Sequence, residues 1–132
     1  MMDTLDRLIA ERACERMIID YAALVDVARW DAVAALYSAN GRMSRPTAPD
    51  DFIQGRNAIL AAFLARPPRK TRHICANILV TLENAQRATA QSQILLFTGA
   101  GKIPMVGSYA DILANDGDGW RFLERRGSLD FV

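Results

Sequence analysis

The chain has 132 residues, enough for one domain that buries its own core without disulfides or a structural metal. Sixteen basic against fifteen acidic side chains leave a formal charge of +1, which excludes a global field that recruits nucleic acid, an anionic membrane or a charged partner. Hydrophobic residues make up 51%, yet charge interrupts them everywhere, and no stretch approaches the roughly 20 apolar residues of a membrane helix.

From Leu5 to Ala28 the apolar residues Leu5, Leu8, Ile9, Ala13, Met17, Tyr21, Leu24, Val25 and Ala28 recur every three or four positions, predicting an amphipathic helix capped by Asp3 or Thr4. A short second helix comes next with Trp30, Val33, Ala34 and Tyr37, and the run Ser38-Ala39-Asn40-Gly41 is expected to break it. Arg42 to Arg45 allow a short strand. The stretch from Pro46 to Gly55, with Pro49 and Asp50-Asp51, reads as a loop placed to cover a pocket. A third helix is predicted from Arg56 to Arg66, presenting Ile59, Leu60, Phe63 and Leu64 on one face and ending at Pro67-Pro68. Strands are predicted at about 72–83, 87–98, 105–114 and 119–127, separated by turn-forming residues, as a four-stranded antiparallel meander. Helices first and a meander afterwards specify an α+β fold of three helices on a curved antiparallel sheet, and the concave side of such a sheet leaves an internal apolar pocket.

Cys14 and Cys75 lie far apart in apolar segments and read as free thiols. His73 is the only histidine, and no CxxC or HxxxH is present, so no metal site and no cofactor are expected. Gly99-Ala100-Gly101-Lys102 lacks the rest of a phosphate loop, and Asp116-Gly117-Asp118-Gly119 reads as a hairpin turn. Arg66, Arg69, Lys70 and Arg72 form a basic cluster without interleaved aromatics, read as a solvated rim.

Asp26 ends the first helix, where the helix dipole disfavours a negative charge, so its position calls for a partner. That partner is either a cation such as Arg29 or Arg72, in a purely structural bridge, or His73 at the start of the first long strand. A carboxylate against an imidazole fixes the ring's tautomer and raises its basicity, which suits proton transfer beside a carbonyl or to a leaving hydroxyl. Tyr21, Asn77 and Tyr109 are second-rank pocket residues that could hydrogen-bond a ligand. Trp30, Phe52 and Phe63 are expected to line the core or the pocket wall.

The run Tyr21 to Asp31, with Val33, Leu36 and Tyr37 after it, resembles the opening of SnoaL-like domains of the NTF2-like superfamily. Gly55-Arg56-Asn57-Ala58-Ile59, Arg72-His73 with Asn77, and Gly119-Trp120-Arg121-Phe122 with Arg125-Arg126 match the later elements of that family in order. The resemblance implies a single NTF2-like cone over residues 1–132, and it places Asp26 and His73 similarly to an aspartate and a histidine in the pocket of scytalone dehydratase. Phe97 or Thr98 stands here where that enzyme carries a second pocket histidine. The activity that the resemblance implies is that of a cofactor-independent lyase or isomerase acting on a small hydrophobic, cyclic or polyketide-like molecule. The alternative is a noncatalytic ligand-binding module or an accessory subunit resembling a dioxygenase small subunit. Homodimers are frequent in such families, and the outer face of the meander is the expected dimer surface. The first residues lack the basic start and apolar run of a signal peptide, so a cytoplasmic address is expected.

Overall fold

The structure is a computed structural model that describes residues 2–131. Its elements in chain order are α1 (Thr4–Asp26), α2 (Trp30–Ala35), β1 (Tyr37–Arg45), β2 (Ala48–Gln54), α3 (Arg56–Leu64), β3 (Arg72–Asn84), β4 (Arg87–Phe97), β5 (Met105–Asn115) and β6 (Trp120–Leu129). The strands form one curved sheet in the order β2-β1-β6-β5-β4-β3. α1 packs against β3, while α2 and α3 pack on each other and on β1. No helix among the described residues is long and apolar enough to cross a membrane.

Asp3 caps α1 by accepting a hydrogen bond from the Asp6 backbone N–H at 2.7 Å, satisfying a donor that the first helical turn leaves free. The buried face of α1 carries Ala10, Cys14, Met17, Ile18, Tyr21 and Val25. Leu5, Leu8 and Ile9, expected on that face, are instead more than half exposed, because they lie off the stripe that Ala10, Cys14, Met17, Ile18, Tyr21 and Val25 bury. Burial pushes the Cys14 thiol up to about 12, so it behaves as an inert apolar side chain, and both cysteines are free. The helix ends in a Schellman motif: the Ala28 N–H donates to the Val25 carbonyl, the Arg29 N–H to that of Leu24, and Ala28 takes a φ of 57°.

The four long strands fall within about two residues of their expected bounds, but the sheet is larger than a four-stranded antiparallel meander. Six strands are present among the described residues, and β1 runs parallel to β6. The supposed breaker Ser38 to Gly41 is an irregular stretch inside β1: Tyr37 pairs with Phe122 and Arg42 with Glu124, so extra residues bulge between them. Gly41 permits the close approach, since a Cβ there would sit 2.8 Å from the Phe122 carbonyl oxygen. The expected covering loop is largely strand β2. Pro49 is tolerated there because β2 is the sheet edge, where a missing N–H costs no ladder bond. Only the Pro46-Thr47 turn of that segment reaches the cavity enclosed by the sheet.

Two further bulges decide what faces inward. In β3, Ala76 pairs with Gln93 and Leu79 with Gln91, leaving one residue too many on β3. Asn77 is that site, with a φ of 52°, a conformation that asparagine adopts more readily than most residues. In β6, Leu113 pairs with Phe122 and Ile112 with Glu124, so Leu123 is the extra residue. The slip reverses the alternation. Trp120 and Phe122 are buried before it, Arg125 and Gly127 after it.

At Ala28 the left-handed backbone is unfavourable for a residue with a Cβ. Ala28→Gly is therefore expected to stabilise the protein by about 1 kcal/mol, read as a higher urea midpoint with an unchanged slope.

Candidate functional site

The helices and the concave side of the sheet enclose a cavity of about 430 Å³. Its wall is mainly apolar, with Val25, Phe63, Ile94, Leu96 and Met105 among the lining residues. His73 and Cys75 enter from β3, Tyr109 from β5, Arg125 from β6, Tyr21 from α1, and Arg66 from the segment after α3.

Asp26 and His73 come together at one end of this space. One carboxylate oxygen of Asp26 accepts from the Thr71 hydroxyl at 2.9 Å and lies 2.6 Å from His73 Nδ1. The other accepts the His73 backbone N–H at 2.8 Å. The two side chains are 11% and 13% exposed. Of the partners considered for Asp26, neither Arg29 nor Arg72 pairs with it among the described residues. An ionised carboxylate can only accept, so against one Nδ1 is the donor, and the neutral ring in that tautomer presents the Nε2 lone pair. Nε2 has no hydrogen-bond partner among the described residues, and the ring lines the cavity.

Deeper in, Arg125 is 1% exposed and donates from Nε to Asp111 at 3.0 Å. Its guanidinium carbon lies 3.9 Å from the Tyr109 ring centroid, 4.3 Å from that of Tyr21 and 4.9 Å from that of Phe122, so three aromatic rings share the charge. Burial pushes the Asp111 carboxyl up to about 6, while the Arg125 guanidinium pulls it back towards the ionised form. Arg125 Nη2, Asp111 Oδ2, Ser44 Oγ and Ser92 Oγ are buried without a hydrogen-bond partner among the described residues. Burial raises the Tyr21 and Tyr109 phenols, which stay protonated donors. Tyr21 is joined to Tyr37 by a 2.9 Å hydroxyl contact, whereas Tyr109 makes no hydrogen bond among the described residues. No three metal-ligating side chains converge among the described residues.

Of the residues singled out in the sequence, Tyr21, Phe63, His73 and Tyr109 line the cavity, and Asp26 backs His73. Three others lie elsewhere. Asn77 is the bulge residue, exposed and donating to Gln93 on the outer side of the sheet. Trp30 stacks on the far side of Phe63, with ring centroids 5.0 Å apart, and does not reach the cavity wall. Phe52 sits on the edge strand β2 under the Arg42 guanidinium. Sequence reasoning missed Arg125, Arg45 and the cavity-facing position of Arg66. The triplet Glu124-Arg125-Arg126 carries no sign of which charge turns inward, because the Leu123 bulge decides it. Since Arg125 is buried, removing its counter-charge alone is costly. Asp111→Ala is expected to lose about 3–5 kcal/mol at neutral pH in urea denaturation, and Asp111→Leu combined with Arg125→Met to recover most of it.

Known proteins share this outline. No curated protein matches the sequence. Among solved structures, a protein of Novosphingobium aromaticivorans provisionally assigned as a scytalone dehydratase superimposes with a TM-score of 0.85 at 24% identity, covering 98% of this chain and 89% of the other. An NTF2-like protein of Novosphingobium aromaticivorans gives 0.83 at 21% identity over 95% and 84%. The hexachlorocyclohexane dehydrochlorinase LinA-type3 of Novosphingobium barchaimii gives 0.85 at 15% identity over 98% and 92%. At these identities the likeness is one of fold. The sequence itself matches the SnoaL-like domain description over residues 6–126, and the chain belongs to that family.

Proposed function

We propose that the protein is a cofactor-independent lyase that eliminates a small leaving group from a largely apolar, cyclic molecule. The observation that carries this reading is the His73 imidazole at the wall of an apolar cavity, with Nδ1 held 2.6 Å from Asp26 and Nε2 left open. Two structural neighbours are named for eliminations from carbon, a dehydratase and a dehydrochlorinase, which supports the choice of elimination over isomerisation.

In the proposed step His73 Nε2 takes a proton from a substrate carbon. The C–H electron pair becomes the new double bond, and the leaving group on the adjacent carbon departs with its own bonding pair. The imidazolium that forms is stabilised by the adjacent Asp26 carboxylate, whose two oxygens are already fixed by Thr71 and the His73 backbone. A rigid, partly buried ion pair of this kind gains more from the new charge than a mobile one in water. Tyr109 and Arg125 supply neutral and cationic donors on the same cavity, suited to the negative charge that develops on the departing group. Asp26 is a positioning residue in this scheme and His73 the catalytic base.

The test is a panel of ring alcohols and ring halides with an acidic C–H next to the leaving group, monitored by alkene absorbance or chloride release. Wild type is expected to turn over at least one member. His73→Gln, folded by circular dichroism, is expected to slow it by about 10²–10⁴-fold, and Asp26→Asn to lower kcat more than it changes KM. Undiminished turnover in His73→Gln contradicts the proposal. So does a wild type that binds panel members and converts none, which points to a noncatalytic binder.

A further inference from the structure

Four guanidiniums border the cavity, those of Arg45, Arg66, Arg69 and Arg125, and no aspartate or glutamate among the described residues lines it. Arg125 is matched by Asp111, and Asp26 is engaged with His73 and Thr71. The other three arginines form no ion pair among the described residues. Arg45 comes from the end of β1, and its Nη2 donates to the Ala62 carbonyl at 3.2 Å, which anchors the group against α3. Its Nε is buried with no partner among the described residues. Arg66 lies over the Phe63 ring, 4.4 Å from the centroid, a contact that holds the guanidinium beside the cavity. Burial and the like charge of Arg45 both lower the pKa of Arg66, the signature of a cation held without a counter-ion. Arg69 is exposed at the rim.

Holding these cations around one apolar space is unfavourable for the empty protein and becomes favourable when an anion enters. Guanidiniums held in place match a flat, two-oxygen anion through paired N–H donors. The cavity is too apolar for a small hydrated ion alone, so the anion is expected to be attached to a hydrophobic body.

Building on the elimination reading, we infer that the ligand is a ring-bearing carboxylate whose carboxylate group is held by Arg66 and Arg45 at the cavity wall while its ring lies against Phe63, Ile94 and Leu96. The simply hydrophobic ligand expected from the sequence is thereby narrowed to an amphipathic one, and the basic run after α3 contributes a binding group as well as a solvated rim. Arg125, which also lines the cavity, is left for the reacting end of the molecule.

Binding without turnover separates this inference from the catalytic one. Isothermal titration calorimetry with 2-naphthoate, its neutral amide 2-naphthamide, and 2-naphthyl phosphate is run on wild type, Arg66→Met and His73→Gln. The wild type is expected to bind the carboxylate at least about tenfold tighter than the amide. That preference is expected to weaken with added salt, to fall to within about threefold in Arg66→Met with amide binding unchanged, and to survive in His73→Gln. Arg66→Gln serves in place of Arg66→Met if the latter does not fold. Equal affinity for carboxylate and amide overturns the inference, as does a preference that persists in the Arg66 variant, or binding of the phosphate in place of the carboxylate. Turnover of a neutral ring by His73 without any carboxylate preference removes the anion site and leaves the elimination chemistry standing. A carboxylate preference in a protein that eliminates nothing does the reverse.

Discussion

The carboxylate of Asp26 ties together the two halves of the molecule. It stands at the last turn of α1, where the helix dipole would repel it, and it accepts three hydrogen bonds from the start of β3, more than 40 residues further along the chain. These bonds satisfy both oxygens and lock the end of the helix to the edge of the sheet. The same bonds fix the orientation of the only imidazole. A structural clamp and a candidate catalytic pair are thus one set of contacts, and the Schellman turn at Ala28 sets the angle at which the chain leaves them.

Bulges arrange the rest of the cavity. A strand with strict alternation would place Glu124 or Arg126 towards the core with Phe122, whereas the extra residue Leu123 turns Arg125 inward between Tyr21 and Tyr109. In β3 the Asn77 bulge lets His73 and Cys75 face the cavity at one end while Ile78, Val80 and Leu82 pack against the core at the other. The polar floor and the apolar core therefore share strands without sharing a phase. The cost is a set of buried polar atoms, Ser44 Oγ, Ser92 Oγ, Asp111 Oδ2 and Arg125 Nη2, that lack partners among the described residues.

Much of this was legible in the chain. The periodicity of α1, the strand breaks, and the likeness to SnoaL-like domains specified helices over a curved sheet, and the oddly placed Asp26 called for a partner, with His73 a candidate beside Arg29 and Arg72. Features set by local slips were hidden. Ser38 to Gly41 has the composition of a turn, yet it bulges within a strand because Gly41 admits the Phe122 backbone. Pro49 argued for a loop, yet an edge strand has no use for its missing N–H. Asn77 looked like a polar pocket residue and is the residue that turns the strand over. Arg66 read as part of a solvated rim and Arg45 only as the end of a short strand, and their common wall reveals that they face an apolar space together.

The central claim is that Asp26 holds His73 with its proton on Nδ1 and its free lone pair on Nε2. One measurement addresses it directly: ring nitrogen–proton correlation NMR of the single histidine, in wild type and in Asp26→Asn, at neutral pH. The account predicts a protonated, slowly exchanging Nδ1 and an unprotonated Nε2 in wild type, collapsing to a mixture of tautomers in the variant. An Nε2-protonated ring in wild type, or a pattern indifferent to Asp26→Asn, would contradict it.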